Sequence, residues 1–126
     1  PPRALGWNKR LKSAHFGEYR EVASEFSELL GIDQWLIDPM FANCGQVDFS
    51  DPEGNECLRS QVGSLLKKIT AKYAEYGIEQ EPFVIVKADA GTYGMGIMVA
   101  RSEADVTQLN RKQRNKNLFT LTRYKI

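Results

Sequence analysis

Only one histidine, His15, and two cysteines, Cys44 and Cys57, occur among the 126 residues. The cysteines stand thirteen positions apart, with no CxxC pair and no histidine spacing of the zinc kind, which sets a structural metal aside. Spacing alone leaves a disulfide open, while free buried thiols are the expectation for a chain read as cytoplasmic. Long apolar runs are also missing. None approaches the roughly 20 residues that a membrane helix needs, so no membrane partner is expected. The start, Pro1-Pro2-Arg3, has neither a methionine nor an apolar signal core and reads as trimmed rather than targeted. Internal repeats and low-complexity tracts are absent.

Hydrophobic residues at 42% and charged residues at 26% match a folded domain, and the net charge is only +1. That neutrality hides an uneven distribution. Residues 1–12 carry Arg3, Lys9, Arg10 and Lys12 with no acid, residues 111–126 carry six bases with no acid, and residues 13–110 hold seven bases against all sixteen acids. The basic C-terminal stretch could meet phosphate or an acidic partner, or lie as a solvated surface.

Phe16, Tyr19, Ala23, Phe26 and Leu30 recur at helical spacing before Gly31, predicting an amphipathic helix of about four turns with one face to bury. Leu58, Val62, Leu65, Leu66, Ile69 and Tyr73 predict a second, ending near Gly77. Gln46-Val47-Asp48-Phe49 reads as a short strand. Phe83-Val84-Ile85-Val86, β-branched and preceded by Pro82, predicts a strand entering Lys87, and Ile97-Met98-Val99-Ala100 predicts another. Two such runs joined by about nine residues must pair antiparallel, because a parallel crossover needs more chain. Ser102, three residues before Asp105, predicts the start of a helix over 103–110.

Between these two runs lies Lys87-Ala88-Asp89-Ala90-Gly91-Thr92-Tyr93-Gly94-Met95-Gly96. Glycines at 91, 94 and 96 let the backbone come close to a ligand and turn successive N–H groups toward phosphate oxygens, and Lys87 adds a cation. The GxxGxG spacing is neither the GxGxxG of dinucleotide-binding folds nor the GxxxxGK[ST] of P-loops, and both of those lead from strand to helix. A glycine flap between antiparallel strands is one way of covering nucleotide phosphates; a plain glycine-rich hairpin is the bland alternative. Asp89 can orient the loop through hydrogen bonds, as turn aspartates do.

The segments KRLKSAHFGEYREVASEF at 9–26, NCGQVDF at 43–49, KADAGTYGMGIM at 87–98 and NRKQRNK at 110–116 resemble, in that order, proteobacterial glutamate-cysteine ligases. The resemblance implies an α+β fold, in which amphipathic helices pack with a small antiparallel sheet containing the glycine-rich strand-loop-strand, as part of an ATP-grasp-like architecture. It also implies ATP and Mg²⁺ as cofactors and glutamate and cysteine as substrates, with an acyl phosphate between them. Lys87, Gly91, Thr92, Tyr93, Gly94, Met95 and Gly96 would hold the nucleotide. The Mg²⁺ ligands would lie outside this chain, with Asp48, Asp89, Glu103 and Asp105 the acids to examine otherwise. Residues 1–80 then form a mainly helical, substrate-side segment and 81–116 the ATP-binding region, while 117–126 do not align and read as a divergent ending. Such a chain would be a partial ligase, inactive alone. The alternative is a small nucleotide- or nucleic-acid-binding module using the glycine loop and the basic C-terminal tail. Self-association through exposed strand edges is a further expectation.

Overall fold

A computed structural model describes residues 11–47, 52–89, 97–107 and 117–122, the last six through their backbone. Helix α1 spans Lys12–Leu30 and stops at Gly31, whose φ of 64° is the left-handed turn that glycine makes without steric cost. The closing bonds run from Gly31 N–H to Glu28 O at 3.2 Å and from Ile32 N–H to Ser27 O at 3.0 Å. Helix α2 spans Pro52–Glu75. Proline opens it where an amide donor is not needed, and Glu53 and Lys72 sit at the ends that the helix dipole favours for their charges.

Four strands form one sheet in the order β1-β4-β2-β3, every pairing antiparallel. They are β1 (Phe41–Val47), β2 (Val84–Ala88), β3 (Met98–Ala100) and β4 (Asn117–Thr122). The expected pairing of the two β-branched runs holds, with Val84 opposite Ala100 and Val86 opposite Met98. The strand expected at Gln46–Phe49 lies earlier, at 41–47, and Asp48 and Phe49 fall outside the described residues. Residues 117–122, read from sequence as part of an unaligned ending, supply an interior strand that bridges β1 and β2.

The core lies where α2 covers one sheet face. Leu58, Val62, Leu65 and Ile69 meet Val47, Val84, Val86 and Ala100, joined by Val106 of helix α3 (Glu103–Thr107). Met40, Ala42 and Cys44 pack against the same core, and after them the parity of β1 changes. A bulge between Asn43 and Gln46, with Gly45 at φ 66°, puts Cys44 and Val47 on one side although three positions separate them. Asn43 Oδ1 accepts the Gly45 N–H at 2.8 Å and fixes that bulge. In α3 the Asp105 carboxylate accepts the N–H groups of Arg101 at 2.7 Å and Ser102 at 3.0 Å, the acidic arm of the predicted cap; residues 108–110 lie outside the described set.

Helix α1 meets the opposite sheet face. Its Phe16 ring sits 5.5 Å from Phe41, and the Arg20 guanidinium lies 4.4 Å over the Phe41 ring while donating to Phe41 O at 3.2 Å. Burial of its predicted face is partial, and here the expectation fails. Ala23 and Ser27 are buried, but Phe26 is 50% and Leu30 53% exposed, so the buried stripe in the C-terminal half of the helix runs along its small residues rather than along the predicted apolar ones. Beyond Gly31 a 3₁₀ turn at Gln34–Leu36 seats Trp35 against Tyr76, stacked at 5.0 Å, and edge-on to Tyr73 at 6.2 Å. Among the described residues no helix is long and apolar enough to cross a membrane.

Candidate functional site

Side chains alternate along β2. Val84 and Val86 turn into the core, so Ile85 and Lys87 point to the face that α1 crosses. The Lys87 ammonium stands 5.1 Å over the Phe16 ring, a cation held by an aromatic face. It is half-buried. Burial pulls its pKa below the ordinary lysine value, and the Lys12 charge nearby adds to the effect.

Lys12 reaches this place from the first turn of α1. Its ammonium donates to Ala88 O at 2.7 Å and Asp89 O at 3.3 Å, and its backbone N–H donates to Asp89 O at 2.9 Å. Burial lowers its pKa too, against the opposing pull of the Asp89 carboxylate. Asp89 is fully buried. Its Oδ1 accepts the Ser13 N–H at 2.6 Å and its Oδ2 accepts the Ser13 hydroxyl at 2.6 Å. The residue at the helix cap position, Leu11, has no side chain able to satisfy the free amides there. Asp89 does so from another element, 76 positions along the chain. It orients the end of β2 by fastening it to α1, a role different from the turn bonding expected within the loop.

The end of β2 and the start of α1 thus form one unit with two ammonium groups close enough to feel each other. An anion placed between them would relieve both the repulsion and the desolvation, and phosphate is the anion best suited to several donors at once. Residues 90–96 continue from this point, so Gly91, Thr92, Tyr93, Gly94, Met95 and Gly96 lie outside the described residues. His15 is exposed on α1, its ring 5.8 Å from Phe16. Glu103 is exposed, and Asp105 is engaged in the α3 cap. Among the described residues no group of three or more His, Cys, Asp or Glu gathers to hold a metal ion. Sequence reasoning passed over Lys12 and Ser13. The one signal available was the absence of a capping residue at Leu11, which asks for a partner from elsewhere.

Fold and site together define an α+β protein whose helices clasp a four-stranded antiparallel sheet and whose lysines converge at a strand end. A crystal structure assigned as a gamma-glutamylcysteine synthetase of Methylobacillus flagellatus KT shares this architecture, with a TM-score of 0.81 and 53% sequence identity. The match covers 94% of this chain and 30% of that one. A search of curated proteins gives no match. The sequence model for glutamate-cysteine ligase matches residues 1–123, and the chain belongs to that family. The match runs past Lys116, where the resemblance in sequence stops being traceable, and takes in β4.

Proposed function

We propose that this chain is the phosphate-handling part of a cytoplasmic, ATP-dependent glutamate-cysteine ligase, which joins the γ-carboxylate of glutamate to the amine of cysteine in the first step of glutathione synthesis. The observation that carries the proposal is the 53% identity over 94% of the chain to a structure assigned to that synthetase. ATP would supply the phosphoryl group that activates the glutamate carboxylate as an acyl phosphate, the form in which an amine can displace it.

The residues of this chain would bind and orient. Lys87 and Lys12, half-buried at the end of β2, suit a phosphate charge. Gly91, Thr92, Gly94 and Gly96 would offer backbone amides from an ATP-grasp-like flap, with Tyr93 and Met95 covering the nucleotide or packing beneath it. Asp89 is a positioning residue, because it holds the start of α1 against the strand that presents Lys87. Among the described residues the acids do not cluster as a Mg²⁺ site, so the ligands of that ion would come from elsewhere in the complete ligase.

In a complete ligase Lys87→Met should raise the ATP KM or lower kcat by roughly ten- to a hundredfold, the equivalent of one charge-assisted contact at about 1.5–3 kcal/mol. Thermal stability should change little. Unchanged ATP constants in that variant would remove Lys87 from the nucleotide site. The 126-residue chain alone should form no γ-glutamylcysteine, since phosphoryl transfer requires the reacting groups to be held in line. Product formation proportional to chain concentration, and lost in Lys87→Met, would place the whole active site within these residues.

A further inference from the structure

Helix α1 has two lengthwise faces able to pack, and only one of them is in use. The side carrying Phe16, Arg20, Ala23 and Ser27 meets β1 and the 3₁₀ turn: Phe16 and Arg20 lie against Phe41, and Gln34 donates to Arg20 O at 3.5 Å. Ala23 and Ser27 are the buried residues of the helix. At about 100° per residue, Tyr19, Val22, Phe26, Leu29 and Leu30 fall together in a neighbouring arc of about 100°. All five are exposed, Val22 at 64% and Leu29 at 81%. Of the eleven large hydrophobics exposed among the described residues, seven lie between positions 19 and 36, so the exposure is concentrated rather than scattered. Single exposed apolar side chains need no explanation, but a continuous stripe of them marks a surface made to be covered.

Glu18, Glu21, Glu25 and Glu28 form an exposed ridge along the far edge of the stripe, and none of the four makes an ion pair with a described residue. The ridge decides against a second copy as the cover. In an antiparallel two-fold pair through the stripe, the two glutamate ridges fall on the same side and repel. In a parallel pair, each ridge meets the side of the other helix that β1 and the 3₁₀ turn already occupy. The occupant that fits brings an apolar face with lysine or arginine along the glutamate edge.

We propose that the stripe from Tyr19 to Leu30 is the surface on which the remainder of a complete ligase chain packs. The proposal rests on the ligase reading for its occupant and not on the nucleotide site. This chain covers 30% of the relative it matches at 53% identity, so most of a polypeptide of that length lies outside the match and is available as the cover. Packing there would also fix α1, whose first turn carries Lys12 to the end of β2.

The test is photochemical carbene labelling, read by peptide mass spectrometry, of the 126-residue chain and of the complete Methylobacillus flagellatus relative. Residues 19–30 should label strongly in the chain. The matching helix should label at least about fivefold less in the complete relative, at every protein concentration, as the core of a packed interface does. In the chain itself, Val22→Lys with Leu29→Lys should leave the urea midpoint unchanged, because neither side chain is packed within it. Equal labelling of that helix in both proteins, protection in the relative that disappears on dilution, or a large drop in the urea midpoint of the double variant would overturn the proposal. Protection in a relative that forms no γ-glutamylcysteine would support the covered surface and overturn the ligase reading alone.

Discussion

Replacing Asp89 by alanine removes the side-chain cap at the start of α1. Two acceptors vanish, one for the Ser13 N–H and one for the Ser13 hydroxyl, both at 2.6 Å from a carboxylate with no exposed surface. Hydrogen bonds to a charged group contribute about 1.5–3 kcal/mol each, and a lost N-cap typically costs about 1 kcal/mol. The cost of desolvating the carboxylate offsets part of this, so Asp89→Ala should destabilise the chain by about 2–4 kcal/mol. Asp89→Asn retains one acceptor and the shape, and should lose about half as much. Ser13→Ala deletes the hydroxyl bond but leaves the amide bond, so the double variant should show a coupling of about 1 kcal/mol. Urea unfolding followed by circular dichroism, with an unchanged slope, measures the parent and all the variants. An Asp89→Ala chain within about 0.5 kcal/mol of the parent, or strictly additive effects, would refute the cross-element cap.

Leu58 has no exposed surface and sits in the α2 face of the core, so Leu58→Ala should cost about 2–5 kcal/mol in the same urea experiment, and a loss below about 1 kcal/mol would mean that the helix does not pack there. Asp33 accepts hydrogen bonds from Lys72 at 2.5 Å, the Trp35 amide at 2.9 Å and Tyr76 at 2.9 Å, and the Lys72 bond contributes most to holding its carboxyl near 2 against an ordinary 3.8. The unfolded chain therefore binds the proton first, so this contribution is present above pH 3.8 and fades as pH falls toward about 2. Acid titration of the unfolding midpoint should be flatter over that interval in Asp33→Asn, and parallel curves would contradict the assignment. Gly31→Ala forces a Cβ into φ 64° and should cost about 1 kcal/mol, visible as a lower melting midpoint; no change would mean that the helix ends elsewhere.

Both long helices were legible because their apolar residues repeat at helical spacing and a glycine follows each, Gly31 and Gly77, both at positive φ. The β2/β3 pairing was legible for a simple reason: two β-branched runs joined by so short a segment have one way to meet. Strand β4 was not, since Asn117–Thr122 has no turn signal fixing its partners, and its place between β1 and β2 is set by pairings as distant as Phe41 with Thr122. The bulge at Gly45 escaped notice because strand alternation assumes an unbroken ladder. At the site, Lys87 was visible from the glycine-rich spacing, whereas Lys12 and Asp89 acquire their roles only from contact between elements 76 residues apart. The burial of α1 was overestimated because periodicity identifies an apolar face without saying what covers it.

The most direct test of the central claim, that the β2 end and the following glycines hold nucleotide phosphate, is an amide NMR titration of the chain with ATP, repeated on Lys87→Met. Shifts should concentrate at Lys12, Ser13, Lys87 to Asp89 and residues 90–96, and should weaken markedly in the variant while the spectrum otherwise stays folded. Shifts confined to the basic residues 111–116, or identical in both chains, would contradict the claim.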